Sequence, residues 1–581
     1  MKTKTLLVSF MALIAVNLAW SAGSKRVGDF ALLDHQGYFH NAAYYDNYKA
    51  IALLVQANDS KATVKALPQF QALASGHEEA VKFFLLNPTG NQSRESVAKQ
   101  ATKYDTDLPI LIDHSQLVAE AMGIEHTGEA ILFSPKTFTV LYRGDVAGLA
   151  KAIDNVLADA PVATPYVATA GDAISYPAMV AHKKSPLSYT KDVAPILAEN
   201  CARCHREGGI GPFAMNSHAM IQGWAPMIRE VVMAKRMPPG QVDPHVGDII
   251  NTYALSPEQS QTLVHWIEAG AKKDGDIDPL TQLEWPESVW AFGEPDLIIN
   301  VPPQDIPATG VLDYIRVTVP IEGLEEDRWV RASQYVAGDR SVLHHTLNRI
   351  IPPGAEERRR GFVDGDDNDD EPSITAYIPG ADPYHEPPNT GGLLRKGSKI
   401  SLQLHYTTNG KATTDASRIG VWFYPKGVVP EERMSGQCAC IFTPNWVKIP
   451  PYEADHEMTR AVTLPKDAYL YSMTPHMHFR GKRMRFYAEY PDGNKEEILN
   501  IAKYNYAWQM AYTLREPKFL PAGTKMIAVG AFDNSEQNKA NPDPAREVPW
   551  GQQSWDEMFF GAMRWKFAES KENAEKVSSR D

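Results

Sequence analysis

The sequence predicts a multidomain protein with an α/β domain at the N-terminus, an all-α domain after it, and two antiparallel β-sandwich (jelly-roll-like) domains in the C-terminal half. Three observations lead to this prediction. The chain has 581 residues, which is too long for one hydrophobic core. Apolar runs alternate with helical stretches over residues 24–160. From about residue 286 onward, short strands are divided by Pro, Gly and Asn or Asp turns.

The α/β prediction rests on five β-like runs separated by helical stretches such as 65–75 and 93–104. These runs are 50–57, 81–87, 108–113, 129–135 and 139–144. Their order resembles that of a thioredoxin-like or redoxin domain. Thiol chemistry in such a domain needs a nucleophilic cysteine after the first core strand.

The cysteine expected for thiol chemistry is missing from residues 24–160. Asn58, Asp59 and Ser60 follow the first core strand, and the whole region lacks cysteine. His126-Thr127-Gly128 stands where such domains usually have a cis-proline. We therefore expect a scaffold or docking domain without thiol redox activity.

The first residues have the features of a signal peptide. Two lysines precede an apolar run from Leu6 to Ala19, and the small residues Ala19 and Ser21 suit signal peptidase. We expect residues 1–21 to be removed and the mature protein to be exported, either periplasmic or secreted. An uncleaved anchor is the alternative, but the run is shorter than the ~20 residues of a spanning helix. No later segment is apolar enough to span a membrane.

Charge and composition exclude nucleic acid as a partner. Hydrophobic residues make up 43% of the chain and charged residues 22%, as in ordinary globular proteins. The net charge is −13, and basic residues are scattered apart from short runs such as 357–360. Two further segments are predicted to be loops: an Ala-, Pro- and Thr-rich linker at 161–187, and an acidic run at 364–371 whose spacing does not fit an EF-hand.

Cys201, Cys204 and His205 form a C-x-x-C-H motif at the end of an amphipathic helical stretch. Two thiols at this spacing can both add to haem vinyl groups, and the adjacent histidine can then bind the iron. Half of a zinc site or a surface disulfide are the alternatives. Export and the lack of a second cysteine pair nearby favour one covalent haem c.

The sixth ligand of this haem is predicted to be Met237, which precedes two prolines that fix the backbone. A helix with Ser256 at its N-cap and Trp266 on its apolar face closes the segment. Residues 188–285 resemble a class I-like cytochrome c domain, which implies an all-α fold and electron transfer. The other candidate axial ligands that remain open are Met215, Met220, Met227, Met233 and His245.

The two sandwiches are predicted at 286–437 and 438–581, and four motifs in them suggest metal sites. His476 and His478 project from one face of a strand, so both can bind one metal ion. The neighbours His344 and His345 can do so only at a bulge or a strand end, with His405 arriving from another strand. Met558 offers a further ligand for the first pair.

The motif order H-H, Q-x-H-Y, H-x-H and D-E-M resembles the copper type II, ascorbate-dependent monooxygenases, the family of peptidylglycine and dopamine β-monooxygenases. The similarity covers about 290–570. By this resemblance His344, His345 and His405 would hold an electron-storing copper ion. His476, His478 and Met558 would hold a second copper ion, where O2 is reduced and a substrate C–H bond is attacked. Soft thioether sulfur favours Cu(I).

The chain departs from the family at its substrate site. In the peptide-amidating relatives an arginine, an asparagine and a tyrosine bind the substrate carboxylate, whereas this chain has Thr474, Phe560 and Ala562 at those positions. We therefore expect a small, less charged organic substrate.

Phe559 replaces a family cysteine. Cys438 and Cys440 are predicted to form a local disulfide, with Cu(I) binding as the alternative.

These predictions together describe an exported copper-dependent monooxygenase with two copper ions and one haem. Its electrons would come from the haem, from ascorbate or from a periplasmic redox protein. The rival hypothesis is a non-enzymatic protein that binds copper, senses redox state or transfers electrons.

Overall fold

The computed structural model describes residues 26–285, 289–355, 372–380 and 383–568. The predicted signal peptide (1–21), the basic run 357–360 and the acidic run 364–371 lie outside these residues. The chain divides into two compact units. The first contains the described residues up to Cys201 together with Met215–Pro239 and Ala254–Thr281, and the second contains Ala202–Ala214, Gly240–Tyr253 and the described residues from Gln282 onward.

The first unit is built on a seven-stranded mixed sheet with the strand order β2-β1-β5-β4-β3-β6-β7. The strands are β1 (Ala31–Asp34), β2 (Phe39–Asn41), β3 (Ala50–Val55), β4 (Val81–Asn87), β5 (Ile110–Ile112), β6 (Ala130–Ser134) and β7 (Thr139–Gly144). Four helices accompany them: α1 (Lys61–His77), α2 (Arg94–Tyr104), α3 (Leu117–Met122) and α4 (Val146–Leu157). Strands β3, β4 and β5 run parallel, and β6 and β7 run antiparallel to their neighbours.

This arrangement confirms the thioredoxin-like α/β prediction. The central strand β3 is apolar at all six positions and is buried throughout. A continuous apolar run of this kind is typical of a strand covered by helices on both faces.

The first unit also contains four more helices: α5 (Pro177–Lys184), α6 (Ala194–Leu197), α7 (His218–Met233) and α8 (Pro257–Glu268). Met233 of α7 and Val264 of α8 belong to the same apolar core as Leu117 and Val118 of α3. No separate all-α domain is seen over the described residues 188–285, because their helices share this core and residues 202–214 and 240–253 belong to the second unit.

The predicted linker 161–187 is also structured in part. It carries α5, and the carbonyl of Pro165 accepts a hydrogen bond from the backbone of Arg143. The hydroxyl of Tyr176 donates to the carbonyl of Ile124. Within the described ranges, no helix is both long and apolar enough to cross a membrane.

The second unit consists of antiparallel sheets, as predicted for the C-terminal half. Strand β8 (Gln241–Val242) comes first in the chain. The next ten strands are β9 (Leu297–Asn300), β10 (Gln304–Ile306), β11 (Ile315–Pro320), β12 (Arg328–Val336), β13 (Leu343–Ile351), β14 (Tyr384–His385), β15 (Gly392–Leu394), β16 (Lys399–Tyr406), β17 (Thr413–Asp415) and β18 (Arg418–Phe423). The sheets β11-β16-β13 and β14-β12-β18-β9 share one apolar core.

The remaining strands form two more sheets, β19-β26-β21-β24 and β20-β25-β22-β23-β8, which share a second core. They are β19 (Ser435–Ile441), β20 (His456–Thr463), β21 (Ala468–His476), β22 (Gly481–Glu489), β23 (Lys495–Lys503), β24 (Tyr512–Leu520), β25 (Lys525–Phe532) and β26 (Phe559–Phe567). Strand β8 pairs with β23, so a segment far away in sequence completes the five-stranded sheet β20-β25-β22-β23-β8.

Candidate functional site

The three-histidine cluster is formed by His344, His345 and His405. His345 of β13 lies opposite His405 of β16, and the register shifts between Leu343 and His345. The irregularity places His344 on the same side as its neighbour, which a regular strand would not allow. The ring centroids of His344 and His345 both lie within about 5 Å of that of His405 (5.0 and 4.8 Å).

The geometry of this cluster fits a metal ion. Nδ1 of His345 lies 2.8 Å from Nδ1 of His344 and 3.3 Å from Nδ1 of His405. One ligand atom from each of the three residues lies within 4.8 Å of the others. Nε2 of His344 is buried and has no hydrogen-bond partner among the described residues. Three imidazole nitrogens that converge in this way are typical of a metal centre.

Burial keeps these imidazoles in the form that binds metals. Desolvation lowers the pKa of His344 to about 4 and that of His405 to about 3, and neighbouring histidines add to the shift. Burial also lowers the pKa of His345 well below its ordinary value. A neutral imidazole has a lone pair for a metal, so none of the three must lose a proton near neutral pH.

Two tyrosines that sequence reasoning missed hold the rings of this cluster. The ring of Tyr506 stacks on His344 with centroids 4.5 Å apart, and Tyr314 meets His405 edge-on at the same distance. The hydroxyl of Tyr506 lies 2.9 Å from Oγ of Ser554. No spacing in the sequence connects these tyrosines to the histidines.

The second cluster consists of His476, His478 and Met558. Nδ1 of His476 donates to Oε1 of Gln509 at 2.6 Å, and the amide nitrogen of Gln509 donates to the carbonyl of Tyr506. Nδ1 of His478 donates to the carbonyl of Asp556 at 3.2 Å. These bonds select the tautomer in which Nε2 is left as the metal ligand on each ring.

The D-E-M motif holds the H-x-H segment in place through Glu557. Its carboxylate accepts hydrogen bonds from the backbone N–H groups of His478 (2.8 Å) and Arg480 (2.6 Å), and the residue is fully buried. Desolvation raises the pKa of Glu557 to about 8. Met558 follows directly and precedes β26, whose residue Phe560 lies opposite His476. The motif therefore anchors the backbone of His478 and contains Met558, the thioether predicted as a copper ligand.

His345 of the three-histidine cluster and all three residues of the second cluster line one cavity of about 440 Å³, which we call the shared cavity. The rings of His345 and His476 have centroids 6.2 Å apart. The cavity is lined by Tyr314, His345, Thr346, Leu347, Ala376, Ile378, Gln403, Cys438, Phe442, Thr474, Pro475, His476, His478, Gln509, Trp550, Gln552, Met558, Phe560 and Ala562. The structure thus brings ligands of both predicted copper ions to the wall of one cavity.

The C-x-x-C-H segment fits an axial histidine. Nδ1 of His205 donates to the carbonyl of Phe213 at 3.1 Å, which leaves Nε2 for an iron. A Cβ added at Gly211 would lie only 2.7 Å from this imidazole ring, so the loop can pass the ring only with glycine there. Cys201 and Cys204 are both half-buried. Cys204 lines a cavity of about 490 Å³ in the second unit, which we call the Cys204 cavity.

The candidate axial methionines differ in their surroundings. Met233 lies in the apolar core of the first unit and is therefore a packing residue, and Met215 is also buried. Met237 is 41% exposed. Nδ1 of His245 donates to a carboxylate oxygen of Asp243 at 3.0 Å. Met220 and Met227 are also exposed. Met237 stays the predicted axial ligand.

The structure also shows the surroundings of Ser60 and the state of Cys438 and Cys440. Ser60, at the position of a redox cysteine, caps α1 by accepting from the backbone of Thr63, and its hydroxyl donates to Thr127. Cys438 and Cys440 form a disulfide within β19, which agrees with the predicted local pair.

The chain is similar to known structures over about a quarter of its length. No protein-family model matches it, and no curated protein sequence is detectably similar. A hypothetical protein from Sinorhizobium meliloti shares 24% identity (TM-score 0.24), covering 26% of this chain and 93% of that one. An uncharacterized conserved protein from Geobacillus kaustophilus shares 21% (TM-score 0.23), with 26% and 91% covered. Peroxidoxin BcpB from Mycobacterium tuberculosis shares 19% (TM-score 0.21), with 23% and 96% covered. At these TM-scores the similarities carry no conclusion about function.

Proposed function

We propose that the chain is an exported, copper-dependent monooxygenase that uses O2 to hydroxylate a C–H bond of a small organic molecule. One observation supports the proposal most strongly: His345 of the three-histidine cluster and all three residues of the second cluster line the shared cavity. A binding protein for one copper ion needs only one such ligand set. Two sets beside a space large enough for a small molecule suit a reaction in which electrons, O2 and substrate must meet.

The proposed roles of the residues follow from their contacts. His344, His345 and His405 would hold one copper ion, and His476, His478 and Met558 the other. Copper supplies one-electron redox chemistry and reactivity towards O2, and a hydroxylation consumes two electrons. Gln509 and the carbonyl of Asp556 fix the histidine tautomers, and Glu557 fixes the backbone at His478 and Arg480.

Electrons are proposed to enter through a haem attached to Cys201 and Cys204, with His205 as one axial ligand. Support comes from the hydrogen bond between His205 and Phe213, which orients the ring as an iron ligand requires. Ascorbate or a periplasmic redox protein is the alternative source.

Mass spectrometry after a single turnover tests the proposed function. Protein loaded with copper is reduced without oxygen, mixed with a periplasmic extract and exposed to isotope-labelled O2. We expect an organic product that carries one labelled oxygen atom and is lost in His478→Ala and Met558→Ala. His456→Ala, on β20 and not among the residues that line the shared cavity, is the matched control. Two bound copper ions with no labelled product in any preparation would favour the copper-binding or redox-sensing alternative.

A further inference from the structure

The first unit contains a cavity of about 660 Å³ that the proposed function does not use, and we call it the His182 cavity. We propose that it binds a small organic anion that carries a hydroxyl group. Lys183 and Lys272 would pair with the anionic group, and the hydroxyl would donate a hydrogen bond to Nε2 of His182. The inference concerns residues of the first unit alone and does not depend on the proposed copper sites.

A chain of hydrogen bonds sets which nitrogen of His182 carries a proton. Nε2 of His265 donates to Oε2 of Glu120 at 2.7 Å, and both side chains are only 8% exposed. Because a carboxylate can only accept, Nδ1 of His265 has a lone pair and accepts from Nδ1–H of His182 at 2.8 Å. Burial lowers the pKa of His182, and the neighbouring His265 adds to the shift, so the ring is neutral near neutral pH. Nε2 of His182 is therefore left with a lone pair.

This lone pair of His182 is available to a ligand. Nε2 has no hydrogen-bond partner among the described residues, and it is not one of the enclosed polar atoms. The residue lies on α5, is half-buried and lines the His182 cavity. A neutral imidazole nitrogen in this position accepts a hydrogen bond from an O–H or N–H group.

The acidic residues that line the His182 cavity are already paired. Glu120 accepts from His265, as described above, and Glu268 lies 2.8 Å from the guanidinium of Arg229. No other Asp or Glu is among the lining residues. A metal cation would therefore find one imidazole nitrogen here and no free carboxylate.

The basic residues of the lining leave a surplus of positive charge. Lys183 and Lys272 are exposed, and neither has an ionic partner among the described residues. Arg26 is a third exposed cation of the lining. These charges collect at one cavity of a chain whose net charge is −13. They repel a metal ion and attract an anion.

Apolar side chains give the His182 cavity room for the body of an organic molecule. Leu117, Met179, Leu187 and Trp266 line it beside the charged groups. Small-molecule sites combine an apolar lining with a few polar groups in a volume of roughly 300–1,000 Å³. The cavity therefore suits an organic anion better than an inorganic one.

Calorimetric titration of the full-length, copper-free protein tests the inference. The probes are meta- and para-hydroxybenzoate, benzoate, which lacks the hydroxyl group, and para-hydroxybenzylammonium, which reverses the charge. We expect the tighter hydroxybenzoate to bind at least about three-fold more tightly than benzoate and at least about ten-fold more tightly than the ammonium probe. Its affinity should fall as salt is added, because the lysines are exposed.

Lysine variants assign this binding to the His182 cavity. Lys183→Met combined with Lys272→Met should weaken hydroxybenzoate binding at least about five-fold. Lys184→Met combined with Lys273→Met is the matched control, because these exposed lysines are the next ones in sequence and do not line the cavity. The control should change the affinity less than about two-fold.

Two variants of His182 test the hydrogen bond from the ligand. The amide of His182→Asn can still donate to Nδ1 of His265, but this variant lacks Nε2 and should lose the preference for hydroxybenzoate over benzoate. His182→Gln places an amide oxygen near the position of Nε2 and should keep part of that preference.

Several outcomes would overturn the inference. They are no binding of either hydroxybenzoate, equal or tighter binding of benzoate or the ammonium probe, and equal effects of the two lysine pairs. An unchanged preference in His182→Asn would also overturn it. The comparison of probes on the unaltered protein stays decisive if a variant folds poorly.

Discussion

Ala376 and Ile378 each line both the Cys204 cavity and the shared cavity of the second unit. The residue between them, Tyr377, accepts a hydrogen bond from the backbone of Thr346 at 2.9 Å and donates to its hydroxyl at 2.8 Å. Thr346 follows His345 in β13. One short segment therefore separates the proposed site of haem attachment from a proposed copper ligand.

The first prediction concerns electron entry. Cys201→Ala combined with Cys204→Ala should remove the covalent haem absorbance and leave two copper ions bound, because the six proposed copper ligands lie in other segments of the chain. Product formation should then fail with a protein reductant and survive with a small reductant that reaches copper directly. Stopped-flow absorbance should show haem reoxidation in the unaltered protein when oxygen is added. Haem that stays reduced through many turnovers would rule out this route.

Gln509 is predicted to position His476. Gln509→Leu removes the acceptor for Nδ1–H and should weaken copper binding at the second cluster about 10- to 100-fold. Gln509→Glu keeps an acceptor for Nδ1–H of His476 and should largely restore copper binding at the second cluster. Copper stoichiometry and the electron paramagnetic resonance signal report this without turnover. Gln437→Leu, exposed on β19, is the matched control. Equal copper affinity in Gln509→Leu and Gln437→Leu would remove the positioning role.

Glu557→Ala should destabilise the second unit and release copper from the second cluster. The substitution leaves two buried N–H groups without an acceptor, and the free energy of unfolding should fall by at least about 2 kcal/mol. Denaturant unfolding of the copper-free protein measures this. Glu547→Ala, an exposed carboxylate in the same unit, should have little effect. A small change in both variants would contradict the anchoring role.

The stability of the first unit should depend on pH through Asp113. This carboxyl is fully buried, and desolvation raises its pKa from 3.8 to about 6. The folded state therefore binds the proton more tightly than the unfolded state, so stability falls as pH rises through this range. Between about pH 5 and pH 7 the loss should be about 1 kcal/mol relative to Asp113→Asn. Unfolding at the two pH values checks this. Asp154→Asn, on the surface of α4, should behave like the unaltered protein.

Features of the site that depend on residues close together in the sequence could be predicted, whereas those that depend on residues far apart could not. Ligand spacing is local chemistry, so the bulge at His344 follows from strand geometry. The strand expected to contain both His476 and His478 ends at His476, and His478 lies two residues beyond it. The α/β domain was predictable because its buried strands are continuous apolar runs.

The residues that orient the ligands could not be predicted in the same way. Gln509 lies 33 residues from His476, and the backbone of His478 lies 79 residues from Glu557. Such pairs form only when separate strands meet. The separate all-α domain was expected from the C-x-x-C-H motif and the amphipathic stretch before it, but Met233 of α7 and Val264 of α8 pack in the core of the α/β sheet instead.

The pairing of β8 with β23 has a consequence for how the protein folds. Asp243 and Asn500, which are hydrogen-bonded beside this pair, are 257 residues apart. Closing so long a loop is entropically costly, and contacts of this kind slow folding. The sheet cannot be completed until residues 495–503 have been synthesised, so β8 has no partner strand while the segment between them is being made. Until then the edge of β23 that pairs with β8 is also incomplete, and unpaired edges of this kind favour aggregation during folding.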